Sequence, residues 1–421
     1  MKAKVSPSIC NGSVHIPPSK SMSHRAIICA ALAQGKSTIT NVAFSQDILT
    51  TIEGMRNLGA QITVEKDSVT IEGIKDFQHL AKKEIFCLES GSTLRFFIPI
   101  FSLCNQEVIF TGQGRLLQRP QKVYEDIFHE QGLDFVQSED GIHIHQSLQA
   151  GSYTMKGDVS SQFISGLLFV LPLLKEDSTL HILPPFESKS YVDLTLQMME
   201  LYGVHASFMD EHTLHIPGNQ TYVAHDYEIE GDYSQLAFFA VLAALNHDLT
   251  ITGVHHDSKQ GDKQILSILK DFQIQVDEIE RGYHIHKGNP IAHEINLENC
   301  PDLGPILCVL AMYSQGETHI YNAGRLRIKE SDRIEAMQQE LHKFGVDMRS
   351  TEDEIFITGK QQYTCSKELQ GHNDHRIVMA LSIATTCSQS TTTIADAQAI
   401  NKSYPAFFED LLGVNGKVEM L

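Results

Sequence analysis

Hydrophobic and polar positions along this chain follow two spacings that take turns. Stretches with apolar residues at helical spacing run into a glycine or polar turn, then into two short alternating segments, the pattern of a helix followed by a β-hairpin. Residues 47–58 lead to Gly59 and then to Ile62-Thr63-Val64 and Val69-Thr70-Ile71. Residues 123–131 lead to Gly132, Phe135-Val136 and Ile142-His143-Ile144. The succession recurs at 192–202 with Gly203, at 263–272, at 333–344 with Gly345, and in shortened form at 406–412 with Gly413. The turn positions 59, 132, 203, 273, 345 and 413 lie 68 to 73 residues apart.

A second series falls between them, at the starts of more uniformly apolar helices. Lys20, Ser90, Ser160, Asp232, Asp302 and Asp374 mark it, in steps of 70 to 72 residues. Two series in one cadence predict six copies of a unit with two helices and about four strands, hence an α/β (α+β) fold. Serine, aspartate or asparagine announces each apolar helix, as expected of residues that cap exposed backbone N–H groups. A helix N-terminus also favours an anion, so each cap has a bland reading and a functional one.

Composition narrows the choice. Fifty-two acidic against 33 basic residues give a net charge of −19, which argues against a nucleic-acid or anionic-membrane partner. The longest apolar run, 163–174, is too short to span a bilayer, and residues 1–7 lack the pattern of a secretory signal, so a cytoplasmic location is expected. Eight scattered cysteines without a C-x-x-C pair suggest reduced thiols rather than disulfides or zinc.

Against that acidic background, eight of the eleven arginines fall in a few short segments. Ser19-Lys20-Ser21-Met22-Ser23-His24-Arg25 sets a lysine and an arginine at a helix start, suited to a phosphate or carboxylate. Glu89-Ser90-Gly91-Ser92-Thr93-Leu94-Arg95 repeats the design, and 112–120 carries Arg115 and Arg119 on a glycine-containing loop. Ser160-Ser161-Gln162 offers hydroxyls and an amide without charge. Arg325-Leu326-Arg327-Ile328-Lys329-Glu330-Ser331-Asp332-Arg333 and Asn373-Asp374-His375-Arg376 add cations, with Lys402 beyond them. Arg325, Arg327, Lys329 and Arg333 are expected to face one site. Asp302 and Glu330, isolated acids among cations, read as proton-transfer groups. His372 and His375 are weighed as metal ligands, but Arg376 beside them favours an anion. The pairs His143/His145, His212/His215 and His284/His286 read as solvated strand faces. The residues alone point to an enzyme acting on a small substrate with several negative charges.

At these motifs the chain resembles the EPSP synthase family, the 3-phosphoshikimate 1-carboxyvinyltransferases. The match runs from Pro17-Pro18-Ser19-Lys20-Ser21 through Gln118-Arg119-Pro120, Ser160-Ser161-Gln162, Ser188-Lys189-Ser190-Tyr191, Pro301-Asp302 and Lys329-Glu330-Ser331-Asp332-Arg333 to Asn401-Lys402-Ser403-Tyr404-Pro405. The resemblance implies two domains of three units each, 20–231 and 1–19 plus 232–421, closing on substrates in the cleft between them. It implies transfer of the carboxyvinyl group of phosphoenolpyruvate to the 5-hydroxyl of shikimate 3-phosphate, on the route to chorismate and the aromatic amino acids. Shikimate 3-phosphate would meet Lys20, Ser21, Arg25, Ser160, Ser161, Gln162, Ser188, Tyr191, Asp302, Arg325 and Lys329. Phosphoenolpyruvate would meet Lys20, Gly91, Arg119, Gln162, Arg333, Arg376 and Lys402. Asp302 would deprotonate the 5-hydroxyl, with Glu330 and Lys20 protonating the methylene carbon and assisting phosphate loss. No metal or organic cofactor is implied, and a monomer is expected.

Some residues depart from the family pattern. Arg325 stands where better-known members carry asparagine, and Glu89-Ser90-Gly91-Ser92 replaces the commoner Asn-Ala-Gly-Thr. Phe96 replaces a proline, and these changes border the pocket where glyphosate competes with phosphoenolpyruvate. Two rival readings are kept: an enolpyruvyl transferase acting on UDP-N-acetylglucosamine, and an inactive anion-binding scaffold. The first usually has a reactive cysteine or aspartate where this chain has Gly114.

Overall fold

The computed structural model describes residues 1–78 and 80–421 and divides into two compact units. One comprises Met1–Pro18 with Glu230–Leu421, the other Ser19–Ile229. Each has its own apolar core.

The apolar helices form because little in them faces water. In Tyr233–Leu245, twelve of thirteen residues are buried, as a helix apolar on all sides requires. Lys20–Leu32, Gly91–Ser102, Ser161–Val170 and His375–Cys387 are similar. Their caps are those anticipated. Ser19, Ser90 and Ser160 accept from the N–H groups of Met22, Thr93 and Gln162; Asp232 accepts from Ser234 and Gln235, and Asp374 from Arg376. Each such bond contributes about 1 kcal/mol. The fifth member differs. A 3₁₀ turn, Pro301–Leu303, precedes the helix Gly304–Met312, so Asp302 lies before the helix and does not cap it. Its carboxylate is spent elsewhere.

The second helix of each unit (Gln46–Asn57, Lys122–Glu130, Lys189–Leu201, Ile265–Asp271, Arg333–His342, Phe407–Gly413) ends in a left-handed residue. Five fall at the anticipated turns: Gly59, Gly132, Gly203, Gln273 and Gly345. In the sixth, Gly413 still belongs to the helix and the left-handed residue is Asn415, one of the few side chains that tolerate it.

Five sheets share one order. In the first, Tyr227–Glu228 pairs parallel to Lys36–Thr40, which pairs antiparallel to Ser68–Glu72, which pairs antiparallel to Gln61–Val64. The fourth repeats this with Gly12–His15, Leu249–Thr252, Gly282–Ile285 and Val276–Ile279. The sixth has three strands, Thr392–Ile394, Ala3–Ser6 and Lys417–Met420, all antiparallel. Leu369 bridges parallel to Ile394 where the other sheets keep a full first strand. The two ends of the chain are thus woven into one sheet.

Gln273 holds the left-handed turn, at φ 64°, that glycine holds in four of the other units, and it is exposed. Gln273→Gly should therefore stabilise the protein by about 1 kcal/mol. A thermal melt should show a midpoint about 2–4 °C higher. An unchanged or lower midpoint would mean the turn carries no strain.

Candidate functional site

In the unit Ser19–Ile229, the helix starts are wired to one another by the motif residues. Lys20, first in its helix, pairs with Asp47 of Gln46–Asn57 at 3.0 Å, a partner the sequence reading did not identify. Arg25, one turn on, is buried. Its Nε donates to Thr195 Oγ1 at 2.8 Å, Nη1 to the Ser21 carbonyl at 2.8 Å and Nη2 to the Tyr191 carbonyl at 2.9 Å. Burial pulls its pKa down to about 10, still charged at neutral pH. Arg25 thereby joins two of the segments implicated from sequence, the helix start at 20 and the first turns of the Lys189–Leu201 helix. Between Lys20 and Arg25, buried His24 shares a hydrogen bond with Thr51, which connects through Thr93 to Ser90. Burial, with the charges of Lys20 and Arg25, drives the His24 pKa well down, so the ring is neutral.

Arg95 does for Gln162 what Asp47 does for Lys20. Its Nη1 donates to Gln162 Oε1 at 2.8 Å, while Gln162 Nε2 donates to Ser92 Oγ at 2.8 Å. The guanidinium lies over the Phe163 ring, 4.7 Å from its centre. The sequence counts Arg95 among the arginines of an anion site; in the structure it fixes which way the Gln162 amide faces. Arg119 is buried and Arg115 on the same loop is exposed. A side chain at Gly91 would put Cβ 2.6 Å from Arg119 Nη1, so Gly91 is what lets that guanidinium approach the helix start. Ser161 is buried, and Ser188 is both buried and left-handed at φ 53°.

The other unit holds a denser cluster. Asp302 Oδ1 accepts from Lys329 Nζ at 3.3 Å and Arg333 Nη1 at 3.1 Å, and Oδ2 accepts from Arg376 Nη2 at 2.9 Å. Arg333 also donates from Nη2 to Glu330 Oε2 at 2.7 Å and from Nε to Asp374 Oδ2 at 2.8 Å. Burial opposes the charge on Arg333, but Asp374, Glu330 and Asp302 outweigh it and hold its pKa above the ordinary range. Asp374 is itself buried; that desolvation is overcome by Arg333, and its pKa is lowered. Lys329 is the soft cation. Burial lowers its pKa to about 8 against the pull of Asp302, with Arg325 and Arg333 adding to the drop. Lys402 Nζ donates to the Asn373 carbonyl, which ties it to the Asp374 turn.

One correction and two additions follow from this geometry. Arg327 does not share the site of its neighbours: it is a strut, donating to Asp332 and to the carbonyls of Thr351 and Glu352. His372 binds Glu340, which also binds Lys343 and the Gln370 N–H, so it belongs to a structural ion network. Asp262 was missed. It is 2% exposed, takes a hydrogen bond from Ser234, and has its pKa raised by burial and then by the charge of Asp302. Its signal in sequence, one aspartate after Gly261, is not distinguishable from an ordinary turn.

A cluster of this kind can hold anions by its arginines while offering carboxylates and a lysine for proton transfer. Comparison with known proteins narrows the chemistry. The family model for EPSP synthase (3-phosphoshikimate 1-carboxyvinyltransferase) matches residues 6–411. A 3-phosphoshikimate 1-carboxyvinyltransferase of Clostridium perfringens is 44% identical over 418 residues, covering 99% of this chain and 98% of that protein. One from Clostridium kluyveri is 43% identical over 423 residues, covering 99% and 97%. In fold, the chain resembles EPSP synthase from Acinetobacter baumannii with a TM-score of 0.81 at 24% identity over the whole of both chains. It also resembles the enolpyruvyl transferase NikO from Streptomyces tendae, with a TM-score of 0.79 at 15% identity over 99% and 98% of the two chains. The repeated sheets, the motifs and the relatives agree: this chain belongs to the EPSP synthase family, the 3-phosphoshikimate 1-carboxyvinyltransferases.

Proposed function

We propose that Asp302 is the base, and Glu330 with Lys20 the proton-handling pair, in the family reaction. That reaction is transfer of the carboxyvinyl group of phosphoenolpyruvate to the 5-hydroxyl of shikimate 3-phosphate, in the shikimate pathway. The observation that carries the assignment is Asp302 held by Lys329, Arg333 and Arg376, with Glu330 on the same Arg333. Three cations favour the ionised carboxylate, so it is ready to accept the hydroxyl proton. As the 5-oxygen bonds to C2 of phosphoenolpyruvate, C3 gains a proton. The C2–O bond to phosphate then breaks, and loss of a C3 proton restores the vinyl group. Both substrates are anionic, and Arg119, Arg333, Arg376 and Lys402 supply the charge that offsets their repulsion, while Gly91 makes room for Arg119. Lys20, Ser21, Arg25, Ser160, Ser161, Gln162, Ser188, Tyr191, Arg325 and Lys329 bind shikimate 3-phosphate, with Lys20 and Gln162 also meeting phosphoenolpyruvate. Arg25 also holds the first turn of the Lys189–Leu201 helix through the Tyr191 carbonyl. The UDP-N-acetylglucosamine reading is not favoured by the family match. A cytoplasmic monomer is part of the proposal, and its mass in solution should be that of one 47.0 kDa chain.

Purified protein given phosphoenolpyruvate should release phosphate with shikimate 3-phosphate and not with UDP-N-acetylglucosamine. Silence with both acceptors in a folded protein would favour the inactive scaffold. Asp302→Asn and Glu330→Gln should remain folded, each with lowered stability because its hold on buried Arg333 is weakened, and lose about 10²–10⁴-fold in turnover. Near-native rates in either would remove that residue from the mechanism. Lys329 binds an anion only while protonated, so kcat/KM for shikimate 3-phosphate should decline as pH rises through about 8. Lys329→Arg keeps its charge far higher and should move that limb upward. A limb that stays put would mean another group is titrating.

A further inference from the structure

The sequence reads His284 and His286 as a solvated strand face, and the structure gives that face an organisation. The two lie at i and i+2 in and just after the strand Gly282–Ile285, so their side chains share a face, while Tyr283 and Ile285 between and beside them are buried in the core. Asp248 sits immediately before the neighbouring strand Leu249–Thr252, and Asp277 lies across from His284 on the edge strand Val276–Ile279. Among the described residues, Asp248, His284 and His286 are the one group of three metal-ligating side chains that offer ligand atoms all within 4.8 Å of one another.

Each histidine has its far nitrogen occupied. Thr250 Oγ1 lies 3.0 Å from His284 Nδ1, and Asp277 Oδ2 lies 2.7 Å from His286 Nε2. When those nitrogens carry the protons, the lone pairs of His284 Nε2 and His286 Nδ1 are left for a ligand. Both face the same atom, Asp248 Oδ2, at 3.9 and 3.4 Å. Asp248 is oriented in turn by its Oδ1, which accepts the Lys287 N–H at 2.8 Å. A hydroxyl and a carboxylate behind two imidazoles form the outer shell that commonly sets tautomer and aim in metal sites. Bonds of about 2.0–2.2 Å to a tetrahedral zinc put ligand atoms roughly 3.3–3.6 Å apart. The His286–Asp248 edge already has that length, and small side-chain rotations would bring in His284.

We propose that Asp248, His284 and His286 bind one divalent late first-row metal ion of the zinc type, with Asp277 and Thr250 as positioning residues and a fourth position open to water. The site lies among residues that the transfer reaction does not use. Its ligands lie on or immediately beside two adjacent strands of the fourth sheet, so an ion there would clip Leu249–Thr252 to Gly282–Ile285.

The test is equilibrium dialysis and calorimetry of the metal-stripped full chain with Zn²⁺, together with visible spectra after Co²⁺ loading. One saturable ion per chain is expected, with the absorption of tetrahedral Co²⁺. His284→Ala, His286→Ala and Asp248→Ala should each abolish that ion and that spectrum while circular dichroism and turnover are unchanged. Asp277→Asn should weaken binding by about 10–100-fold without removing it, which a carboxylate with no part in the site would not do. An absence of saturable binding, or one ion retained in all three ligand variants, would overturn the proposal.

Discussion

Arg333 is 1% exposed, and a guanidinium survives there only because Asp302, Glu330 and Asp374 surround it. Those acids come from a 3₁₀ turn, from the loop before the Arg333–His342 helix and from the cap of His375–Cys387. One side chain thus sets the spacing of three elements. Removing a partner from such a buried pair costs about 3–5 kcal/mol, because it strands a charge, whereas an apolar replacement of the whole set is often neutral. Stability alone does not call for a buried ionic set in this place. On the proposed mechanism, its use is to orient Asp302 as the base, with a second carboxylate and a soft lysine beside it.

The same economy runs through the repeats. The fold places an apolar helix start at one position of every unit, and each start has been given a different filling. Lys20 and Ser21, Gly91 and Ser92, and Ser161 and Gln162 occupy it in one half of the chain. Tyr233 and Ser234, Asp302, and His375 and Arg376 occupy it in the other. Within each half of the chain, fillings of neighbouring repeats are cross-linked, as by Arg95 to Gln162 and by Arg376 to Asp302. On the proposed function, a single architectural feature, the start of an apolar helix, has been diversified into binding groups, a base and the struts that aim them.

Much of this is written locally and so was legible. Helix and hairpin periods gave the two interleaved series and six units, and the caps fell where serine or aspartate met an apolar run. What was not legible depends on residues far apart in sequence. Ala3–Ser6 completing the sixth sheet and Tyr227–Glu228 completing the first carry no local mark of their partners. In the site, the arginine-bearing motifs announced themselves, but Asp47 under Lys20 and Asp262 behind the Asp302 cluster did not. Arg327 looked like its neighbours because a run of charges does not reveal which members are spent on the backbone of the next hairpin. The sequence pattern places Asp302 at a cap position, and only its 3₁₀ turn, Pro301–Leu303, frees the carboxylate for three cations.

The departure at Arg325 can now be weighed physically. It is buried, and its charge is one of the two that lower the Lys329 pKa. An asparagine would leave Lys329 more basic. With arginine there, the free enzyme holds two cations close together at an electrostatic cost, and on the proposed assignment of both to shikimate 3-phosphate that cost falls when its phosphate dianion arrives. Binding energy for the acceptor would then come partly from relieving repulsion already present in the protein, so the arginine need not make the contact that asparagine makes elsewhere in the family. On this argument the substitution changes how tightly Lys329 keeps its proton before the substrate binds, and leaves the Asp302, Glu330 and Arg333 arrangement as it is.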